Sequence, residues 1–423
     1  MRFHALDGLR GFCALIVAIF HLYEYANAPT PTLLANSFVF VDFFFVLSGF
    51  VLAHAFMDDL AAHGEGGLFV LRRIGRLYPL HLFMLGLFLA VEIAKYVAWR
   101  HGAEMAAAPF TNSMRIDLLV SGLFLTQSLG LHDGLGWNFP SWSISVEFYV
   151  NLLFCMVMVL PARRGGDLAR TLRGKIWLCA VLAIVAGIVT VWAASLGKVM
   201  TFDTGLPRCI YGFFLGVLAQ RLRAGGVDPT RNFSRGAIAA LEIACALATM
   251  ALIQYGSYVA LFALSPPLFA GASLVFAHER GLISALLLTR PMKAIGEWSY
   301  SIYLVHSFLV IHVMGRLASL AGKKGLFGLT PTPGVDGGFY VGAIYAQGPL
   351  QAAGIILVFV ALTLGFSALT FRFIEKPGRS FFNAYAARKS RFRRTRPTGA
   401  QVPAQVPAQV PAPVAAPVAA PAE

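Results

Sequence analysis

Runs of roughly twenty apolar residues recur along most of this chain, each long enough as a helix to cross a hydrocarbon layer about 30 Å thick. Lipid offers backbone N–H and C=O groups no hydrogen-bond partners, so segments of this kind must close their hydrogen bonds internally, as helices. The composition agrees. Of 423 residues, 57% are apolar and 13% charged, about half the charged fraction of an ordinary soluble domain. The runs predict ten spans, at 8–26, 38–57, 77–98, 142–160, 175–194, 207–223, 237–253, 258–277, 297–318 and 350–372. The fold class expected is therefore an all-α integral membrane protein. The sixth span is short and carries Arg208 at its start, and the run 116–129 reads as a re-entrant or interfacial piece.

Basic residues set the expected orientation. Arg72, Arg73 and Arg76 fall before the third span, and Arg163, Arg164, Arg170, Arg173 and Lys175 fall near 163–175. Arg221, Arg223, Arg231 and Arg235, then Arg280, Arg290 and Lys293, occupy the next alternate connections. The intervening segments Asn27 to Ser37 and Gln254 to Ser257 hold no basic residue. The positive-inside rule then puts both termini in the cytoplasm, in keeping with an even number of spans. The net charge of +14 follows from the same asymmetry, so it reads as a basic inner face against lipid headgroups rather than as nucleic-acid binding. Arg2, the apolar run after it and Ala26, Asn27, Ala28 imitate a cleavable leader. Cleavage is not expected, because Arg10 and His21 inside that run are costly in lipid unless the mature protein uses them.

Residues 1–382 read as one membrane domain without a long soluble insertion. Its longest outer segments are 99–141 and 319–349, the latter a Gly- and Pro-rich loop. From 383 the chain reads as a cytoplasmic tail, first basic from Arg388 to Arg396, then a Pro/Ala repeat that cannot bury a core and is expected to be disordered. Cys13, Cys155, Cys179, Cys209 and Cys245 lack metal-type spacing, and no metal is expected.

Polar residues inside the spans are the candidates for chemistry. Arg10 and His21 stand eleven residues apart, close to three helical turns, so they share a face about 16 Å apart along the axis. Arg10, near the inner end, suits a phosphate-bearing donor. His21, in the outer half, suits proton abstraction from a hydroxyl. The alternative is local: Arg10 pairs with Asp7 and His21 packs between helices. Further polar residues sit in VDFFFVLSGF (Asp42, Ser48), RIGRLYPL (Arg73, Arg76), WSISVEFY (Glu147), SYSIYLVH (Tyr300, Tyr303, His306) and RFIEKP (Glu375). GxSxG, HExxH and P-loop signatures are absent from the sequence.

Together with LDGLRGFCALIVAIFH at the N-terminus, the order and spacing of these strings resemble the acyltransferase-3 family of membrane O-acyltransferases, over the whole chain except the tail. The resemblance implies a ten-span fold that moves an acyl group, usually acetyl, from cytoplasmic acyl-CoA to a hydroxyl of an extracytoplasmic glycan or glycolipid, in a bacterial inner membrane. Arg10 and His21 match the family's Arg, ten residues, His signature, and Arg73 and Arg76 match its RxxR motif, which implies donor contacts for Arg10, Arg73 and Arg76. His21 is then the general base or a transiently acylated nucleophile. Asp42 or Glu147 is the candidate to orient its imidazole, or else a structural partner for an arginine. Ser48, Tyr300, Tyr303 and His306 are the candidate substrate contacts. Family members often carry an appended SGNH domain; this sequence has none, so transfer is expected to finish in the membrane domain or on a separate partner. The rival class is a transporter or flippase in which Arg10, Asp42, Glu147 and His306 form a path.

Overall fold

Segments that must close their own hydrogen bonds do so here: the computed structural model describes residues 2–26, 30–105, 107–164, 171–317, 320 and 349–389, and among these residues every regular element is helical. The helices are α1 (His4–Ala26), α2 (Thr32–His63), α3 (Gly66–Arg100), α4 (Ile116–Leu123), α5 (Trp142–Arg164) and α6 (Leu172–Ser195). They continue as α7 (Gly205–Ala224), α8 (Arg235–Tyr255), α9 (Tyr258–Phe276), α10 (Leu282–Leu287), α11 (Arg290–Leu317) and α12 (Leu350–Lys389). Side chains close several helix starts. Thr171, Ser234 and Ser257 each accept the N–H three residues on, from Gly174, Ala237 and Ala260.

Among the described residues nine helices are long and apolar enough to cross a membrane. The expected sixth span is helix α7, which stays outside that set because Arg208, Arg221 and Arg223 lower its hydropathy. It is nonetheless an inner helix, with Arg208, Phe213, Phe214 and Val217 buried. In α6, α8 and α12 little of the apolar window is buried, 33%, 17% and 17% of it. Trp177, Ile188 and Leu357 are among the side chains these helices turn outward, which suits lipid.

Two expected boundaries move. The third span was expected to start at 77, but α3 starts at Gly66, so Arg72, Arg73 and Arg76 lie within a 35-residue helix and not on a loop. At 1.5 Å per residue α3 is about 52 Å long, well beyond a hydrocarbon core. The last span continues past 372 through a π-helical stretch, Phe371–Glu375, and a further helical stretch, Lys376–Lys389, so the boundary expected at 382 falls inside α12. This end of α12 is held on α3 by close contact, because a Cβ on Gly378 would meet Pro79 at 2.6 Å and the Phe382 side chain occupies the space beside Gly75. The 116–129 run forms α4 and a turn, with Leu125, Gln127 and Ser128 buried against the start of α5. Residues 27–29, most of 319–349 and 390–423 lie outside the described residues, and with them the leader-like cleavage motif, the Gly/Pro-rich loop and the Pro/Ala repeat.

The most extensive helix pairings are α1 with α11 and α2 with α7. The first needs glycine on both sides: a Cβ on Gly11 would stand 2.6 Å from the Ile295 carbonyl, and one on Gly296 would stand 2.6 Å from the Asp7 carbonyl. The second is fixed by charge. Arg208 donates from Nε to Asp42 Oδ1 at 2.8 Å and from a terminal nitrogen to Oδ2 at 3.0 Å, while the Phe38 and Met200 carbonyls also accept from its terminal nitrogens.

Candidate functional site

A cavity of about 420 Å³ opens between α1, α2, α3, α5, α11 and α12, within the size range of small-molecule sites. Seven of the ten residues expected from sequence line it: Arg10, Ser48, Arg73, Arg76, Glu147, Tyr300 and Tyr303. Sequence reasoning missed Arg2, His54, Ser143, Ser299 and Arg379 in the same wall. One π-helical stretch, Ala53–Met57, supplies His54 to its wall, and a second, Phe371–Glu375, supplies Glu375 as the partner of Arg76. The extra residue in such a turn re-aims side chains, and π-bulges recur at functional sites for that reason.

The arginines differ in what already holds them. Arg10 is paired with Asp7 at 3.0 Å, as the local alternative has it, yet it also donates from Nε to Ser299 Oγ at 2.7 Å across to α11. Arg76 is paired with the buried Glu375, which also accepts from Ser301 Oγ at 2.9 Å, and its guanidinium lies 5.0 Å from the Tyr300 ring centroid. Arg73 has no hydrogen bond or salt bridge among the described residues; its Nε is buried, and its guanidinium faces Phe56 at 5.8 Å and Phe69 at 6.0 Å. An anion entering the cavity meets Arg73 without first breaking an ion pair. A fork of five donors matches a phosphate, so this wall can hold phosphate groups.

His21 does not line the cavity. It lies further along α1, where its Nδ1 is 3.1 Å from His306 Nε2 and the two rings stack with centroids 5.0 Å apart. Phe139, in the 3-10 turn just before α5, stands edge-on to His21 at 4.8 Å. The tautomers follow from one oxygen. His306 Nδ1 is 3.1 Å from the Ile302 carbonyl, which can only accept, so Nδ1 carries the proton and Nε2 is the acceptor. His21 Nδ1–H then donates to His306 Nε2, and His21 Nε2 keeps a lone pair. That is the form in which an imidazole takes a proton from a hydroxyl.

The carboxylates expected to orient His21 do not do so here. Asp42 is fully buried and bound by Arg208, with Ser265 Oγ at 3.3 Å, so it clamps α2 to α7 and α9. Glu147 accepts from Ser48 Oγ at 2.7 Å and faces the arginine cavity. The group on His21 is instead His306, a residue whose sequence context points to substrate contact. No cluster of three or more His, Cys, Asp or Glu with metal-binding geometry occurs among the described residues.

The family model described as an acyltransferase domain matches residues 3–373. Acyltransferase MdmB from Streptomyces mycarofaciens is 29% identical over 353 residues, which is 77% of this chain and 82% of the relative. Protein 2 in picA locus from Rhizobium radiobacter is 34% identical over 192 residues, 44% of this chain and 92% of the relative. O-acetyltransferase OatA from Staphylococcus aureus (strain MRSA252) is 24% identical over 415 residues, which is 92% of this chain but only 60% of that protein. No solved structure matches at a significant level. With the family model spanning nearly all of the helical domain, the chain belongs to the acyltransferase-3 family and is a multi-pass membrane O-acyltransferase.

Proposed function

We propose that the protein moves an acyl group, acetyl in the first instance, from cytoplasmic acyl-CoA to a hydroxyl of an extracytoplasmic glycan or glycolipid, in a bacterial inner membrane. One observation carries the reading: α1 and α11 each contribute to the arginine-lined cavity at one level, through Arg10 and Tyr300, and to a histidine pair further along, through His21 and His306. A donor held by its phosphates and a proton acceptor are thus set at two levels of one helix pair. The basic connections argue that the arginine end faces the cytoplasm. The OatA relative, named an O-acetyltransferase, supports acetyl as the group transferred.

In this mechanism Arg73 meets the donor phosphates, with Arg10, Arg76 and Arg379 adding positive charge around it. His21 Nε2 takes the proton of the acceptor hydroxyl while His306 Nε2 holds His21 Nδ1–H. The hydroxyl oxygen bonds to the acyl carbon, the carbon–sulfur bond breaks, and the proton passes from His21 to the departing thiolate. Orientation by a hydrogen-bonded partner is what a general base needs to keep the correct nitrogen free. Two carboxylates that neither touch His21 nor lie beside it act elsewhere: Glu147 balances charge in the arginine cavity and Asp42 holds α2 to α7.

The test is radiolabelled acetyl-CoA supplied to inside-out vesicles carrying the full chain. Release of free CoA together with label in an alkali-labile ester on envelope glycan or glycolipid is expected. Uptake of label without CoA release would mean a transporter and overturn the reading.

A further inference from the structure

Five arginines line the cavity, and they divide by what already holds them. Arg2 is bound by Asp7 at 2.7 Å and Glu297 at 3.0 Å, Arg10 by Asp7, and Arg76 by Glu375. Arg379, like Arg73, has no salt bridge or hydrogen bond among the described residues. Glu147 lines the same cavity but accepts from Ser48 Oγ and pairs with neither. A guanidinium drawn out of bulk water without an anion is costly, so two of them in one wall suit an anionic ligand with two groups to hold. Their settings differ. The Nε of Arg73 is fully covered, and its guanidinium faces Phe56 and Phe69. Arg379 stands one helical turn past Glu375, on a stretch of α12 whose Lys376, Pro377 and Ser380 are exposed. The charges acting on it include Arg10 and Arg2, the latter with a side chain 49% exposed. Arg73 is thus the enclosed cation and Arg379 the one at the open edge.

We propose that Arg379 reads the 3′-phosphate on the donor's ribose while Arg73 takes its diphosphate, so that the cavity selects acyl-CoA over thioesters whose carrier lacks the 3′-phosphate. The proposal rests on the reading of the cavity as the acyl-CoA site. Coenzyme A carries two separate phosphate groups: a diphosphate joined directly to the pantetheine arm, and a monoester on the ribose, off the line of that arm. The arm has to run from the cavity toward His21, so the group attached to it belongs with the enclosed arginine. The ribose phosphate is left for the arginine at the edge. As a monoester it is close to a dianion at neutral pH, and a guanidinium binds such a group through two parallel hydrogen bonds. Arg2, Arg10 and Arg76 would each have to give up a carboxylate to do the same.

The experiment compares acetyl-CoA with acetyl-dephospho-CoA, which lacks only the 3′-phosphate, in inside-out vesicles carrying the full chain. Thiol release is read for wild type, Arg379→Gln, Arg379→Lys and Arg73→Ala. In wild type the KM for acetyl-dephospho-CoA is expected about ten- to a hundredfold above that for acetyl-CoA, the scale of one charged contact. Arg379→Gln should bring the two values within about threefold of each other, and Arg379→Lys, which keeps the charge but not the fork, should fall between. Arg73→Ala should raise both values and keep their ratio within about threefold of wild type. Because two donors are compared on one protein, a smaller folded fraction in a variant does not mimic the effect. Displacement of labelled CoA from the purified proteins by CoA and by dephospho-CoA gives the same ratio without chemistry. If wild type releases thiol from neither donor yet the binding ratio follows this pattern, the transfer reading fails and the phosphate assignment stands. Failure of labelled CoA to bind, a wild type that handles the two donors alike, an unchanged ratio in Arg379→Gln, or a ratio lost in Arg73→Ala would overturn the proposal.

Discussion

His306 accepts the Nδ1 proton of His21 at 3.1 Å because its own Nδ1–H is committed to the Ile302 carbonyl. A backbone oxygen one helical turn earlier therefore fixes the tautomers of both rings. In many enzymes a carboxylate does this for a catalytic histidine. In this interior a neutral imidazole does it without placing a charge beside His21, which spares the desolvation of an ion.

His21→Ala should abolish transfer while the protein inserts at normal abundance. A neutral imidazole is cheap to remove from a membrane interior, and a general base contributes about 10² to 10⁴-fold. The measurement is CoA release at equal protein, with a blot for membrane abundance. Residual activity above about a tenth of normal would place the base elsewhere.

His306→Ala should lower kcat by about a hundredfold with little change in the KM for acyl-CoA, since it frees the tautomer of His21 without touching the donor cavity. His306→Gln is the informative control. Its amide oxygen can accept from His21 Nδ1–H, so it should retain at least about a tenth of the activity, as one preserved hydrogen bond allows. Equal losses for Ala and Gln would show that His306 does more than hold a proton.

The spans and the candidate positions were legible in the sequence because lipid imposes a length and makes each intramembrane polar residue conspicuous. Pairings were not. Asp42 and Arg208 are 166 residues apart, and His21 and His306 are 285 apart, so only the packing of α2 on α7 and of α1 on α11 joins them. Asp42 looked like an orienter because a buried carboxylate near a histidine in sequence order is ambiguous until its partner is known. The last stretch of α12 is illegible for a different reason. KPGRSFFNAYAARK is too polar to read as a span, and its pattern does not reveal that Gly75 and Gly378 leave room for it on α3.

Arg73→Ala and Arg76→Ala should separate. Losing Arg73 should raise the KM for acyl-CoA by about ten- to a hundredfold with unchanged thermal stability, since a charged hydrogen bond contributes about 1.5–3 kcal/mol. Losing Arg76 also strands Glu375, which is 1% exposed, and removing one partner of a buried pair costs about 3–5 kcal/mol. Its unfolding temperature in detergent should therefore drop, and Arg76→Ala with Glu375→Gln should recover part of the loss. Identical melting curves for the two single variants would contradict this division of labour.

Asp42→Ala should destabilise rather than disarm. It leaves Arg208 buried without its anion, a change that costs about 3–5 kcal/mol, whereas Asp42→Leu with Arg208→Met removes both charges and should cost far less. The reading is thermal unfolding together with turnover per folded molecule. A double variant that is stable yet inactive would return Asp42 to the chemistry.

Truncation should have opposite consequences on either side of Lys389. The chain beyond residue 397 carries no aromatic residue and no ionisable side chain except Glu423, so it offers neither core nor catalytic group. Its removal, together with the basic stretch from Arg391 to Arg396, can at most weaken attraction to an anionic leaflet, worth about 1 kcal/mol per residue, in a protein already held by its spans. In detergent micelles without charged lipid, turnover at saturating donor should be unchanged. Truncation after Glu375 instead removes Arg379 from the cavity wall and Phe382 from its place beside Gly75. It leaves the pair of Arg76 and Glu375 at a fraying helix end and exposes the α3 surface that the lost stretch covered. The KM for acyl-CoA should rise by about tenfold or more, the scale of losing one charged contact, and Arg379→Gln in the full-length chain should reproduce part of that rise. Equal kinetics for the chains ending at Glu375 and at Lys389 would show that the last stretch of α12 packs on α3 without serving the donor.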